Sequence, residues 1–68
     1  AIFTKSLVAR IDLPSGTILQ ADQLAAKKPG TGVSPERLGD IVGRRLVNNL
    51  SANQLLRPED IEDFPTRE

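Results

Sequence analysis

The stretch that decides the fold is Leu7-Val8-Ala9-Arg10-Ile11-Asp12-Leu13-Pro14-Ser15-Gly16-Thr17-Ile18-Leu19-Gln20-Ala21-Asp22-Gln23-Leu24, because it repeats. Laid without gaps over residues 44–61, it puts Leu13 on Leu50, Ile18 on Leu55, Leu19 on Leu56 and Leu24 on Ile61. In the first copy, residues 7–11 read as a short β segment, 13–17 as a turn and 18–19 as a second short apolar stretch. In the second copy the same positions hold Leu46-Val47, then Leu50-Ser51-Ala52-Asn53-Gln54, then Leu55-Leu56. Pro14 presets its φ at a turn position and Gly16 permits a positive φ. Asn53, the next best residue for that backbone, stands at the matching place. Each copy closes on one acidic helical turn, at residues 20–24 and 57–61, where Pro58 suits a first helical position and the acids face the positive end of the turn.

Between the copies, Ser34-Pro35-Glu36-Arg37-Leu38-Gly39-Asp40-Ile41-Val42-Gly43 reads as one short helix. Ser34 is its N-cap, Pro35 its first residue, and Gly43 its C-cap, with Leu38, Ile41 and Val42 expected on one apolar face. The expectation is a compact, mostly β, pretzel-like fold with short helical turns, its halves related by an internal pseudo-two-fold. One domain fills residues 1–68, with its core at 6–61 and flexible termini at 1–5 and 62–68.

Composition narrows what such a domain can do. A chain of 68 residues builds only a thin core, and without Cys or His it has neither a disulfide framework nor the usual zinc ligands. Apolar packing and five prolines, which restrict the unfolded chain, carry the stability. Nine basic and nine acidic residues cancel, so the net charge gives no reason to expect nucleic acid or an anionic membrane as partner. The charges are nonetheless segregated: Lys27, Lys28, Arg37, Arg44 and Arg45 lie mid-chain, and Glu59, Asp60, Glu62, Asp63 and Glu68 lie near the end. These read as solvated faces of opposite sign. No apolar run reaches the length of a membrane span, Ala1-Ile2-Phe3-Thr4-Lys5-Ser6 does not read as a signal peptide, and a cytoplasmic location is expected. From the start without Met, an excised fragment is the expectation.

Enzyme chemistry needs groups that shuttle protons, attack or hold metal, and His, Cys, Tyr and Trp are absent. The carboxylates and lysines sit mostly in turns or helix starts, where capping and solubility account for them. No catalytic residue and no metal ligand is assigned to the isolated domain. Lys27-Lys28-Pro29-Gly30-Thr31-Gly32 asks for a special reason: cations precede a rigid Pro, and two glycines let the backbone approach something closely. The alternative is a tight exposed connection. The spacing is not that of a phosphate-binding loop, since no Gly-Lys-Ser/Thr follows. Asn49-Leu50-Ser51 matches a glycosylation sequon by chance at an expected hairpin, and the Gly39 to Gly43 spacing has no membrane meaning in an amphipathic helix.

Residues 6–19, together with Lys28-Pro29-Gly30-Thr31-Gly32 and Ile41-Val42-Gly43-Arg44, resemble the antifreeze-like (SAF) domain of sialic acid synthases. The resemblance covers residues 6–61. It implies a β-clip fold and a substrate-capping role in a transferase that condenses phosphoenolpyruvate with N-acetylmannosamine or a related sugar. It places the chemistry, a divalent metal and phosphoenolpyruvate in a β/α barrel, with no cofactor in this domain. The domain would cover the barrel of the partner subunit in a domain-swapped homodimer and complete the site for an N-acylated sugar. The position before the Pro-Gly segment is an Arg in such enzymes and contacts the N-acyl group; here it is Lys28, which lacks the planar fork of Arg. Lys28, Pro29, Gly30, Thr31 and Gly32 are thus the candidate substrate-binding residues.

Two other readings make different demands. The fold class includes type III antifreeze proteins, whose ice-binding surface corresponds in large part to residues 16–23; Thr17 fits it, whereas Asp22 and Gln20 bring charge and bulk. SAF modules also occur in pilus and flagellar assembly proteins, which act outside the cytoplasm. Phe3 and Phe64, the only aromatic residues, give no platform for strong binding of a free sugar.

Overall fold

The computed structural model describes residues 5–28 and 30–64. Its regular elements are few and short: strand β1 at Ser6–Ala9, strand β2 at Leu24–Lys27 and helix α1 at Leu38–Ile41. Turns of 3-10 helix at Ala21–Gln23, Pro35–Arg37 and Pro58–Asp60 complete them. β1 and β2 form an antiparallel pair in the register Ser6 to Lys27, Leu7 to Ala26, Val8 to Ala25 and Ala9 to Leu24.

The rest of the β structure consists of single bridges, and these obey the two-fold that the repeat predicts. Leu13 pairs with Leu50 across the two copies. Val8 with Leu55 is matched by Arg45 with Ile18, and the Ala9 to Leu24 pair of the sheet is matched by Leu46 with Ile61. Hydrogen bonds follow the same rule. Leu56 N–H donates to Leu7 O at 2.9 Å and Leu19 N–H to Arg44 O at 2.8 Å; Asn53 N–H donates to Ala9 O and Gly16 N–H to Leu46 O, both at 2.7 Å. Even side chains repeat: Asp12 Oδ1 accepts from Ala52 N–H at 2.8 Å, and Asn49 Oδ1 accepts from Ser15 N–H at the same distance.

Local chemistry explains why both copies fold alike. Gly16 and Asn53, at equivalent turn positions, both take positive φ, 95° and 70°. After each turn the chain runs into a 3-10 turn tied back to its own start. Gln23 Oε1 accepts from Gln20 N–H at 2.9 Å, and Asp60 Oδ2 accepts from Arg57 N–H at 3.0 Å. Asp60 is buried, and its other oxygen accepts from Asn48 Nδ2 at 3.0 Å, so both carboxylate oxygens are satisfied.

One cluster makes the core: Leu7, Ala9, Leu13, Leu19, Leu24, Val33, Ile41, Leu46, Leu50, Leu56 and Ile61. Nearly all of it comes from the two copies; Val33 and Ile41 of the intervening segment close one side. Ser34 Oγ accepts from Glu36 N–H at 3.2 Å, capping the helical segment, whose C-cap is the extended Val42 and not the expected Gly43; Gly43 follows with φ 92°, its N–H donating to Leu19 O.

Three local expectations are corrected. The first strand ends at Ala9, and Ile11, expected in it, is 57% exposed, because Arg10 and Ile11 turn the chain toward the Leu13 bridge. Ile41 is fully buried and Leu38 packs against the core, whereas Val42 is 40% exposed, because the helix stops at Ile41 and the extended φ/ψ of Val42 turns it off the apolar stripe. Residues 24–27, with two alanines, form a strand that the repeat did not announce. Contacts also continue beyond Ile61. Glu62 N–H donates to Arg45 O at 2.9 Å, and Phe64 lies against the core with the Arg37 guanidinium 4.6 Å over its ring. Residues 1–4 and 65–68 of the expected flexible termini lie outside the described residues.

Candidate functional site

The candidate segment begins where β2 ends. Lys27 is paired with Ser6 in the sheet, so the chain leaves the sheet beside Ser6. It returns to the same residue: Gly32 N–H donates to Ser6 Oγ at 2.8 Å. Val33 then fixes the returning chain, its N–H donating to Leu56 O at 2.9 Å and its carbonyl accepting from Leu7 N–H at 2.8 Å. Lys27 and Gly32, which flank the candidate segment, are therefore both held on one fully buried serine.

Within it, Lys28, Gly30 and Thr31 are exposed, Gly32 is half-buried, and Pro29 lies outside the described residues. Gly32 has a structural reason of its own. A Cβ at this position would stand 2.5 Å from Leu56 O, so the close approach that two glycines permit is, at Gly32, an approach to the protein's own backbone. Lys28 and Thr31 are both exposed residues of this segment. The sequence offered no signal for Ser6, because a Ser at a strand start is unremarkable until its register partner is known.

Beside this loop, on the face of β1 and β2, lies a depression of about 320 Å³ lined by Val8, Ala9, Arg10, Ala25, Lys27 and Asn53. The charge segregation of the sequence resolves elsewhere into contacts between its two groups. Arg45 pairs with Glu62 at 3.2 Å, and Arg44 Nη1 donates to Asp63 O at 2.8 Å, so the acidic end folds onto part of the basic middle. Both contacts are exposed, and the ion pair adds little to stability.

On the stretch compared with an ice-binding surface, Thr17 Oγ1 donates to Pro14 O at 2.6 Å, which serves the turn, and Gln20 and Asp22 are exposed. That edge presents a hydrated carboxylate. Among the described residues, no three His, Cys, Asp or Glu side chains gather closely enough to hold a metal ion. No helix among them is long and apolar enough to cross a membrane.

This two-fold arrangement of short antiparallel bridges is the fold of antifreeze-like domains. It is shared with the solution structure of an antifreeze protein like domain from the human N-acetylneuraminic acid phosphate synthase gene, at a TM-score of 0.86 and 25% identity, over 98% of this chain and 86% of that one. The SAF domain family matches residues 4–62, and the chain belongs to that family. It is 40% identical over 62 residues to N,N'-diacetyllegionaminic acid synthase of Legionella pneumophila, covering 91% of this chain, and 34% identical over 56 residues to the enzyme of the same name from Campylobacter jejuni, covering 82%. The chain spans 17% of the length of each of these two curated relatives.

Proposed function

We propose that this chain is the substrate-capping domain of a nonulosonic acid synthase, in which it orients an N-acylated sugar over a barrel of the partner subunit. The observation that carries the reading is that Ser6 holds both Lys27 and Gly32, the residues on either side of the candidate segment, in which Lys28 and Thr31 are exposed. A lid works by fixing a contact before the substrate arrives, and a loop with two anchored ends loses little freedom on binding. The two relatives support the same reading, since both are acid synthases in which a segment like this chain is a small part of a longer protein.

In this role Lys28 donates a hydrogen bond from its ammonium to the acyl oxygen of the sugar. An ammonium gives charge and a rotatable donor without the two-pronged geometry of a guanidinium, so it tolerates more than one acyl orientation. Thr31 Oγ1 and the backbone at Gly30 offer further polar contacts. The domain supplies no proton transfer. It excludes water and orients the sugar, while metal and phosphoenolpyruvate belong to the barrel outside this chain.

The test is Lys28→Ala in the full-length synthase. The Michaelis constant for the sugar is expected to rise about tenfold or more, the value of one charged hydrogen bond, with that for phosphoenolpyruvate unchanged. An unchanged sugar constant takes Lys28 out of the site.

A further inference from the structure

Among the described residues, Ser6 and Asp60 are the buried polar side chains. Asp60 is accounted for by its own turn and by Asn48. Ser6 opens β1, whose other residues, Leu7, Val8 and Ala9, are buried and apolar, so packing alone gives no reason for a hydroxyl there. That hydroxyl reaches 26 residues along the chain to accept from Gly32 N–H at 2.8 Å. The backbone around it forms a closed ring. Leu7 N–H donates to Val33 O at 2.8 Å, Val33 N–H to Leu56 O at 2.9 Å, and Leu56 N–H back to Leu7 O at 2.9 Å. Leu7 belongs to the first copy of the repeat, Leu56 to the second, and Val33 to the segment between them. These bonds use backbone groups and form whatever the side chains are. One residue nearer the candidate segment, at Gly32, the N–H goes to a side chain, and the bond exists only if position 6 carries an acceptor. Gly32 is seated between the same two copies: a Cβ on it would stand 2.5 Å from Leu56 O and 3.4 Å from Ser6 Cβ.

We infer that Ser6 is the positioning residue of the candidate segment: its hydroxyl holds Gly32 while its backbone pairs with Lys27, and this fixes the two ends between which Lys28 meets a substrate. Because Ser6 is fully buried, no water takes the place of its oxygen when that oxygen is removed, and Gly32 N–H loses its acceptor. The ring still holds Val33, so the segment's edge is released without opening the core. The effect on substrate rests on the capping reading. The hold on Gly32 does not.

The experiment compares Ser6→Ala, Lys28→Ala and the double variant in the full-length synthase, reading amide hydrogen exchange at Gly32, Val33 and Leu56 together with kcat and the Michaelis constants for sugar and phosphoenolpyruvate. Ser6→Ala is expected to speed exchange at Gly32 about tenfold while Val33 and Leu56 stay protected, and to raise the sugar constant about threefold to tenfold with kcat and the phosphoenolpyruvate constant unchanged. The double variant is expected to match Lys28→Ala, because Ser6 acts through the segment that carries Lys28. Unchanged exchange at Gly32 overturns the inference, as does faster exchange at all three amides, which would make Ser6 a general stability residue. Faster exchange at Gly32 with an unchanged sugar constant, beside a raised one in Lys28→Ala, also overturns it and leaves the capping reading standing. A double variant that multiplies the two single effects separates Ser6 from Lys28 and overturns it too. A silent Lys28→Ala, with exchange at Gly32 alone faster in Ser6→Ala, removes the capping reading and keeps Ser6 as the residue that holds the segment. Should Ser6→Ala fail to fold, Ser6→Cys, which puts a weak acceptor in nearly the same volume, gives the same readouts.

Discussion

Leu13 and Leu50 each donate a backbone hydrogen bond to the other, at 2.7 and 2.8 Å, and both side chains are buried. Since Leu50 is the repeat equivalent of Leu13, the pair sits on the pseudo-two-fold and joins the two copies where they meet. Leu50→Ala is expected to cost about 2–5 kcal/mol, the usual loss for a buried leucine, and in so small a domain this leaves much of the protein unfolded. Urea denaturation followed by circular dichroism measures it. A loss below about 1 kcal/mol would show that this contact is peripheral to the fold.

Gly16 and Asn53 separate backbone strain from crowding. No atom lies within 4 Å of a Cβ placed on Gly16, so a side chain there meets only the cost of a positive φ. Gly16→Val is expected to destabilise by about 1–3 kcal/mol. Asn53→Gly keeps the turn conformation and is expected to fall within about 0.5 kcal/mol of the parent. Thermal unfolding of the two variants side by side gives the comparison.

At Gly32 the limit is space. Gly32→Ala drives a methyl into Leu56 O, a backbone atom that cannot swing aside, and the expected loss is on the order of 1–3 kcal/mol. The strain should localise, with faster hydrogen exchange at Val33 and Leu7, whose amides are part of the same junction.

Asp60→Ala removes the acceptor for both Arg57 N–H and Asn48 Nδ2, and the loss is expected at about 1–3 kcal/mol. Asp60→Asn keeps the size of the side chain and one acceptor oxygen. It should recover part of the loss in the same denaturation experiment.

Lys28→Ala, by contrast, changes an exposed residue, and its stability is expected within about 0.5 kcal/mol of the parent. On the proposed capping role, a kinetic effect of this variant would then report on substrate contact and not on folding.

The amino-acid sequence by itself determined the features that are local or repeated. The turn at Gly16, its partner at Asn53, the cap at Ser34 and most of the leucine core follow from φ preference, capping and apolar spacing, all of which act within a few residues. The repeat then carried each local rule to a second place. Tertiary structure alone decided the rest. β2 contains alanines that favour no strand, and it is extended because β1 offers it backbone partners. Ser6 became the anchor of the candidate loop only once Lys27 and Gly32 were brought to it from more than twenty residues away in sequence. Val42 is exposed because a four-residue helix is too short to carry its stripe onward. Arg10, Lys27 and Asn53 share one depression because three separate segments converge there, and long-range pairing of this kind leaves no mark on the residues between.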